Sequence, residues 1–305
     1  MRTYPIEFCS DKLQQIFTKI VQGESCALIG MQGVGKTHII GHLEREDVQK
    51  HYLLRAQAKE DEDELAEFDV KAGGLIVLKV DLNAMQPLQT NQPETYPVFN
   101  LIFESMITLT AHEQAQFQGL HKHLNQLRRN IHERGEYEAL FQELVRGLGQ
   151  LLGEMPRFTT RVVIILEAAN ALFETRNERL FRNLRALRDS YHRNLVYLVT
   201  LHRSPTNIAS QHAESFTRII EPFLDLLYRN EIYLTPHRNR DYEIVLEALR
   251  KRLRPYDWPY DNQTEDIFAF LTGGHPRLMR TVFDHLDVIA NSNDLIEARE
   301  ALLIE

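Results

Sequence analysis

Gly30-Met31-Gln32-Gly33-Val34-Gly35-Lys36-Thr37 decides how this chain folds. The stretch joins an apolar run, 25–30, to a segment that carries Ile39, Ile40 and Leu43 at helical spacing. A short apolar run bounded by turn residues reads as a buried strand, and the spacing after it reads as a helix that begins near Lys36. Three glycines between strand and helix let backbone N–H groups crowd around an anion, because glycine adopts angles that a Cβ forbids. A lysine and a hydroxyl residue at the start of the helix add a cation for phosphates and an oxygen for Mg²⁺. Gly30, Gln32, Gly33, Val34, Gly35, Lys36, Thr37 and His38 are therefore the candidate nucleotide-binding residues. Lys36 is expected to reach the β- and γ-phosphates and Thr37 to ligate the metal. A plain glycine-rich turn would need none of this context.

Outward from the loop, further strands are expected at 75–80, 162–166, 195–199 and, shorter, 231–234. An acid run at 60–67 reads as solvated surface. The stretch 97–154 is helical in pattern, and Leu180, Leu184, Leu187 and Tyr191 mark an amphipathic helix after the third strand. Strands alternating with helices predict an α/β fold, a parallel sheet covered on both faces. From 241 onward only helices are expected. The first carries Tyr242, Val245, Leu249 and Leu253; the second follows Asn262 and stops at Gly273-Gly274. The third opens with Pro276, where a missing N–H costs nothing, and its expected core face is Leu278, Val282, Leu286 and Ile289. The organisation read from this is a core at 1–240, with a helical insert at about 84–157, and a small all-helical lid at 241–305.

Composition narrows the classes. With 305 residues the chain has room for one large domain or a domain with a lid, and 43% apolar and 26% charged residues are globular values. Its apolar runs are far too short to cross a membrane, and Met1-Arg2-Thr3-Tyr4-Pro5 lacks the apolar stretch of a secretion signal. Two cysteines, Cys9 and Cys26, speak against a disulfide scaffold and for a reducing, cytoplasmic setting. The net charge of −8 gives no general attraction for nucleic acid, although a local basic patch could supply one. The 13 histidines show no zinc-type spacing with cysteine, and His121 with His123 reads as a solvated helix face.

A phosphate loop needs a second half, an acid at the end of a buried strand that holds Mg²⁺, commonly followed by an acid that activates water. Leu166-Glu167-Ala168-Ala169-Asn170 supplies the first and not the second. Glu167 is assigned to the metal, and Ala168 can do no acid–base chemistry. Three alternatives follow: hydrolysis is slow, Glu167 serves both tasks, or an acid arrives from elsewhere, Glu174 being nearest in sequence.

With these motifs in place the chain resembles the AAA+ and STAND ATPases of the P-loop class, in particular the branch shared by STAND signalling NTPases and origin-recognition or transposition-type ATPases. The resemblance implies a P-loop NTPase with a five-stranded parallel sheet in the order 5-1-4-3-2, ATP or ADP with Mg²⁺ as ligands, and a helical lid. It places Tyr4-Pro5-Ile6-Glu7-Phe8 near the adenine. Glu167 through Phe173 matches the family's acid-acid-x-x-x-Leu-Phe strand end with its second acid lost. Thr200-Leu201-His202-Arg203 stands where the family keeps a γ-phosphate sensor, with Arg203 preferred and Thr200 behind it. Arg229 stands where a finger reaches into a neighbour's site, though a surface arginine at a helix end explains it equally well. Thr272-Gly273-Gly274-His275-Pro276-Arg277 resembles the family's Gly-x-Pro lid motif, which assigns Pro276 and Arg277 to the nucleotide. Cys9-Ser10-Asp11 departs from the usual Gly-Arg signature.

The expected function is a slowly hydrolysing, ATP-binding switch or assembly ATPase that works as a homo-oligomer or with a separate effector or sensor protein. The alternative is a DNA-associated remodelling ATPase with DNA-stimulated turnover. Arg176, Arg179, Arg182, Arg185 and Arg188 recur every third residue and would form either a solvated face or a docking surface for nucleic acid.

Overall fold

The computed structural model describes residues 4–60, 75–89, 92–112, 114–135, 137–153, 161–175, 177–211, 214–251 and 262–285. Arg176, Leu253, Leu286, Ile289 and most of the acid run lie outside the described residues. The first half comprises α1 (Ser10–Val21), β1 (Cys26–Ile29), α2 (Lys36–Leu43), α3 (Glu46–Glu60), β2 (Leu75–Asp81), α4 (Tyr96–His112), α5 (Gln114–Arg134) and α6 (Leu140–Gly153). The second half comprises β3 (Arg161–Glu167), α7 (Asn170–Glu174), α8 (Glu178–Tyr191), β4 (Leu195–Leu201), α9 (Pro205–Ser210), α10 (Glu214–Leu224), β5 (Glu231–Tyr233), α11 (Asn239–Arg250), α12 (Asn262–Thr272) and α13 (Pro276–Asp284).

The strands form one parallel sheet in the order β2-β3-β4-β1-β5, which is the expected 5-1-4-3-2 read from the other edge. Strands β3 and β4 are buried along their whole length, as central strands with helices on both sides must be. Their alternate residues feed two apolar clusters. Val162, Ile164 and Leu166 join Tyr197 and Val199 on one side, under α4, α6, α8 and α10. Val163 and Ile165 join Val196 and Leu198 on the other, under α1, α2 and α3. Fully burying one such side chain stabilises the fold by about 1.5–3 kcal/mol.

The helices between β2 and β3 are part of this core. Phe99, Ile102, Phe103 and Met106 of α4 and Leu144, Leu148 and Leu151 of α6 are buried in the first cluster. His121 departs from the solvated reading: it is half-buried, with Nδ1 3.1 Å from the Thr110 hydroxyl, and ties α5 to α4.

The C-terminal helices belong to the second cluster through Val245, Leu246 and Leu249 of α11, Ile267 and Phe268 of α12, and Met279, Val282 and Phe283 of α13. The inward face of α13 corrects the sequence reading. Leu278 is 45% exposed, and Met279 takes its place. The stripes 278-282 and 279-282-283 share Val282 and both fit a helix, so periodicity alone does not choose between them.

A tight clasp connects this helical unit to the sheet. The His237 N–H donates to the Gly274 carbonyl at 2.8 Å, and Gly274 is left-handed at φ 75°. A Cβ there would stand 2.0 Å from the His237 carbonyl oxygen, whereas at Gly273, φ 51°, it would meet nothing within 4 Å. Gly274→Ala is therefore expected to lower urea stability by about 2 kcal/mol or more, and Gly273→Ala by only about 1 kcal/mol. Equal losses in the two unfolding curves would remove the clasp as a constraint.

Candidate nucleotide-binding site

The loop between β1 and α2 holds two left-handed glycines, Gly33 at φ 80° and Gly35 at φ 106°. At Gly33 a second demand adds to the first, because a Cβ would fall 2.8 Å from Cβ of Arg277 on α13. Val34 is buried and anchors the loop from behind. The Lys36 ammonium folds back across the loop, donating to the carbonyls of Gly30 and, at 3.0 Å, Met31. Burial pushes its pKa down to about 8.

The acid half lies across the sheet edge. Glu167 ends β3 with 9% exposure, and its Oε2 accepts the Thr37 hydroxyl at 3.4 Å. Its Oε1 stands 3.2 Å from the Lys79 ammonium of β2 as an ion pair without hydrogen-bond geometry, so this buried oxygen keeps open lone pairs. Lys79 also meets Glu44 at 3.4 Å. Burial alone would lower the Lys79 pKa, but the two carboxylates together outweigh it and raise it. A hydroxyl and a carboxylate side by side form a hard oxygen donor set, which suits Mg²⁺ and offers nothing to softer metals.

Behind Glu167 the chain turns sharply. Ala168 is left-handed at φ 55°, its N–H donates to Thr200 Oγ1 at 2.9 Å, and the Ala169 N–H donates to the Thr200 carbonyl at 3.1 Å. Asn170 Oδ1 accepts the His202 N–H at 3.2 Å. The turn is thereby stapled to the end of β4, and a methyl group stands where a general base was sought.

These elements enclose a cavity of about 550 Å³, a usual size for a small-molecule site. Gln32, Gly33, Gly35, Lys36, Thr37 and His38 line one wall, Glu167 and Ala168 another, and Pro276 and Arg277 close it from α13. The structure thus gathers most of the residues singled out from sequence. It also adds Asp81, Asn83, His202 and Arg280, which sequence reasoning missed.

Arg203 is not among the lining residues. Its guanidinium bonds Gln211, and it lines a neighbouring cavity of about 330 Å³ together with Glu174. Thr200 shares the parity of Val196 and Leu198, which face the second cluster, and so points to the α2 side; past the strand end at Leu201, His202 borders both cavities and Arg203 only the neighbouring one. Burial first, then Lys36 and Arg203, lower the His202 pKa, which keeps the ring neutral at pH 7. Arg229 is exposed in the turn before β5, at the N-terminal edge of the sheet, where Asn230 bonds Ser25 at the start of β1. The cavity lies at the opposite edge, about 13 Å of strand away. Arg229 therefore has no access to the cavity of its own chain.

Two other features of the sequence find structural partners. On α8, Arg182 pairs with Glu178 at 2.5 Å, and Arg185 and Arg188 pair with Asp189 at 2.8 and 3.4 Å. At the N-terminus Tyr4 stacks on Phe8 at 4.3 Å, and Phe8 meets the rings of His42 and His237 edge-on, which seats this segment beside α2 and the β5–α11 connection. No helix among the described residues is long and apolar enough to cross a membrane.

No family model matches the chain, and no curated protein matches it. Among solved structures it is similar to the Orc1 protein of Aeropyrum pernix in complex with DNA, at a TM-score of 0.50 and 12% identity over 97% of this chain and 64% of that one. It is also similar to the Walker-type ATPase paby2304 of Pyrococcus abyssi (TM-score 0.47, 14% identity, 95% and 70% covered) and to Cdc6p of Pyrobaculum aerophilum (TM-score 0.47, 14% identity, 95% and 62% covered). The chain spans just under two thirds of the Orc1 structure's length. At this identity the likeness to the Orc1 structure speaks for the fold alone, an α/β P-loop fold.

The depressed Lys36 pKa has a consequence for stability. Between pH 8 and the ordinary lysine value of 10.5 the unfolded chain holds a proton that the folded site has released, so stability rises with pH across that window. Below it Lys36 is charged in both states and the desolvation penalty is fully present. Urea midpoints at pH 7.5 and 9.5 should show this upward contribution in the wild type and its loss in Lys36→Met; identical pH slopes would count against a desolvated ammonium.

Proposed function

We propose that this protein is an ATP-binding, slowly hydrolysing switch whose nucleotide state controls assembly with further copies or with a separate partner protein. One observation carries the reading: the glycine loop, the Thr37–Glu167 pair and Arg277 converge on one cavity, while Ala168 stands where fast hydrolysis would need an acid. Backbone N–H groups of the loop and Lys36 would hold the β- and γ-phosphates. Thr37 and Glu167 would hold Mg²⁺, which when bound neutralises charge on those phosphates. His38, Pro276 and the N-terminal segment would border the nucleoside. Residues 241 to the C-terminus act in this reading as a lid, with Arg277 as its reporter of the γ-phosphate.

Magnitudes decide whether such a device can switch. Moving a population from 1:99 to 99:1 takes about 5.5 kcal/mol of differential affinity. A charge-assisted hydrogen bond contributes about 1.5–3 kcal/mol, so about two to four γ-phosphate contacts made in only one state suffice. Arg277 supplies one, and a bound copy could add Arg229, whose sheet edge makes it available only in trans. Adenine rather than guanine, the STAND-like character and Mg²⁺ as the metal belong to this proposal.

A DNA-remodelling role has less support, since the α8 arginines Arg182, Arg185 and Arg188 already face carboxylates of their own helix. A low-salt gel shift, where backbone contacts are strongest, tests it, and clear retardation would restore it.

The direct test is solution mass by light scattering with Mg²⁺ and ATP, ADP or no nucleotide. Assembly is expected with ATP alone and should disappear in Lys36→Ala and Arg229→Ala. A mass that ignores nucleotide, or rapid turnover with no assembly, would overturn the switch.

A further inference from the structure

We propose that Asp81 is the general base for the slow hydrolysis that resets this site; the inference rests on the ATP-binding reading above. Asp81 is the last residue of β2, one strand away from Glu167, and the two are direct partners in the parallel ladder. Paired residues on neighbouring strands project to the same side, about 4.8 Å apart. Both line the 550 Å³ cavity, together with Lys36, Thr37 and Arg277. Glu174, the acid nearest in sequence, lines the neighbouring cavity instead. The third alternative left open by the sequence, an acid from elsewhere, is thus met by a strand the motif does not include.

The surroundings of the two acids differ in a way that divides their work. Glu167 is buried and engaged by Thr37 and Lys79. Asp81 is exposed to the cavity, and among the described residues its only hydrogen bond is Oδ1 accepting the Asn83 N–H at 3.0 Å. That bond orients the carboxylate, and Leu82, 1% exposed in the core, pins the backbone beside it. Oδ2 stays available to a water molecule.

In the proposed step the oxygen of that water forms a bond to the γ-phosphorus as its proton passes to Asp81 Oδ2. The bond from the γ-phosphorus to the bridging oxygen breaks, and ADP leaves with the electron pair. Inorganic phosphate is the second product, and Asp81 returns its proton to solvent. No oxidant or further reactant is needed.

Asp81→Asn is the informative variant, because its amide oxygen keeps the acceptor for the Asn83 N–H and removes only the basic oxygen. Removing a general base costs roughly a hundredfold or more in turnover. Expected are Mg²⁺-ATP affinity within about twofold of wild type, turnover lowered by about a hundredfold, and intact ATP, where wild type yields ADP, in the complex recovered after long incubation. Unchanged turnover with intact binding would overturn the role of Asp81 and leave the ATP-binding reading standing. A loss of affinity that appears only with Mg²⁺ would also overturn it, making Asp81 a metal-holding group. A wild-type protein that binds no ATP, with Lys36→Ala behaving identically, would instead defeat the reading on which the inference rests.

Discussion

The parallel register that joins β1 to β3 through β4 is the constraint on which the site depends. Ile29 pairs with Leu201 and Leu166 with Val199, so the glycine loop leaving β1 and the carboxylate ending β3 emerge at one edge of the sheet, separated by a single strand. That intervening strand is not passive, for Thr200 at its end takes the Ala168 amide and so sets the turn behind Glu167. A slip of one residue between any of these strands would exchange the two faces and carry Glu167, Lys79 and Thr200 into the apolar cluster under α4 and α8. The depth of apolar burial on both faces is what forbids the slip. The chemistry at the edge is thus held by hydrocarbon packing well away from it.

Much of this was legible from residues alone, for identifiable reasons. Strands β3 and β4 announce themselves as apolar runs because they are buried on both sides, β2 is an apolar run at the sheet edge buried at alternate residues, and the phosphate loop stands out because few other sequences bring glycines, lysine and threonine together after a strand. What was not legible required knowing who stands beside whom. Asp81 follows the apolar run of β2 and looks like loop until its pairing with Glu167 is known. Arg280 lies one turn beyond the Pro276-Arg277 motif and needs the docking of α13 to be noticed. The preference for Arg203 over Thr200 and His202 is a different kind of miss. The alternation of Val196 and Leu198 extends to Thr200, whereas His202 and Arg203 lie past the strand end, where parity gives no direction.

The two faces of the sheet divide the labour. On one side α4, α6, α8 and α10 pack into a cluster that, among the described residues, includes none from the C-terminal helices. On the other, α11, α12 and α13 share a continuous apolar cluster with α1, α2 and α3. The C-terminal helices and the helix that begins at Lys36 thus share one apolar cluster, to which Val245, Phe268 and Met279 contribute from one side and Ile39, Ile40 and Leu43 from the other. The His237–Gly274 clasp adds a backbone link between the same two bodies. On the switch reading proposed above, nucleotide state and helix position would be coupled by packing, which deforms in discrete steps rather than continuously.

The way Lys36 closes on its own loop bears on which anions the site accepts. Its ammonium is already occupied by two carbonyl oxygens, Gly30 and Met31, before any ligand arrives. A guest must therefore compete with a good internal partner, offering enough negative charge and enough acceptors to make the exchange favourable. A chloride or a lone sulfate brings one small cluster of acceptors and leaves the carbonyls orphaned when the lysine turns away. A chain of phosphates reaches the loop amides, the ammonium and the Thr37 hydroxyl together, and so repays the exchange several times over. On the nucleotide-binding reading proposed above, the loop's internal bond would act as a filter that favours an extended polyanion over a simple anion.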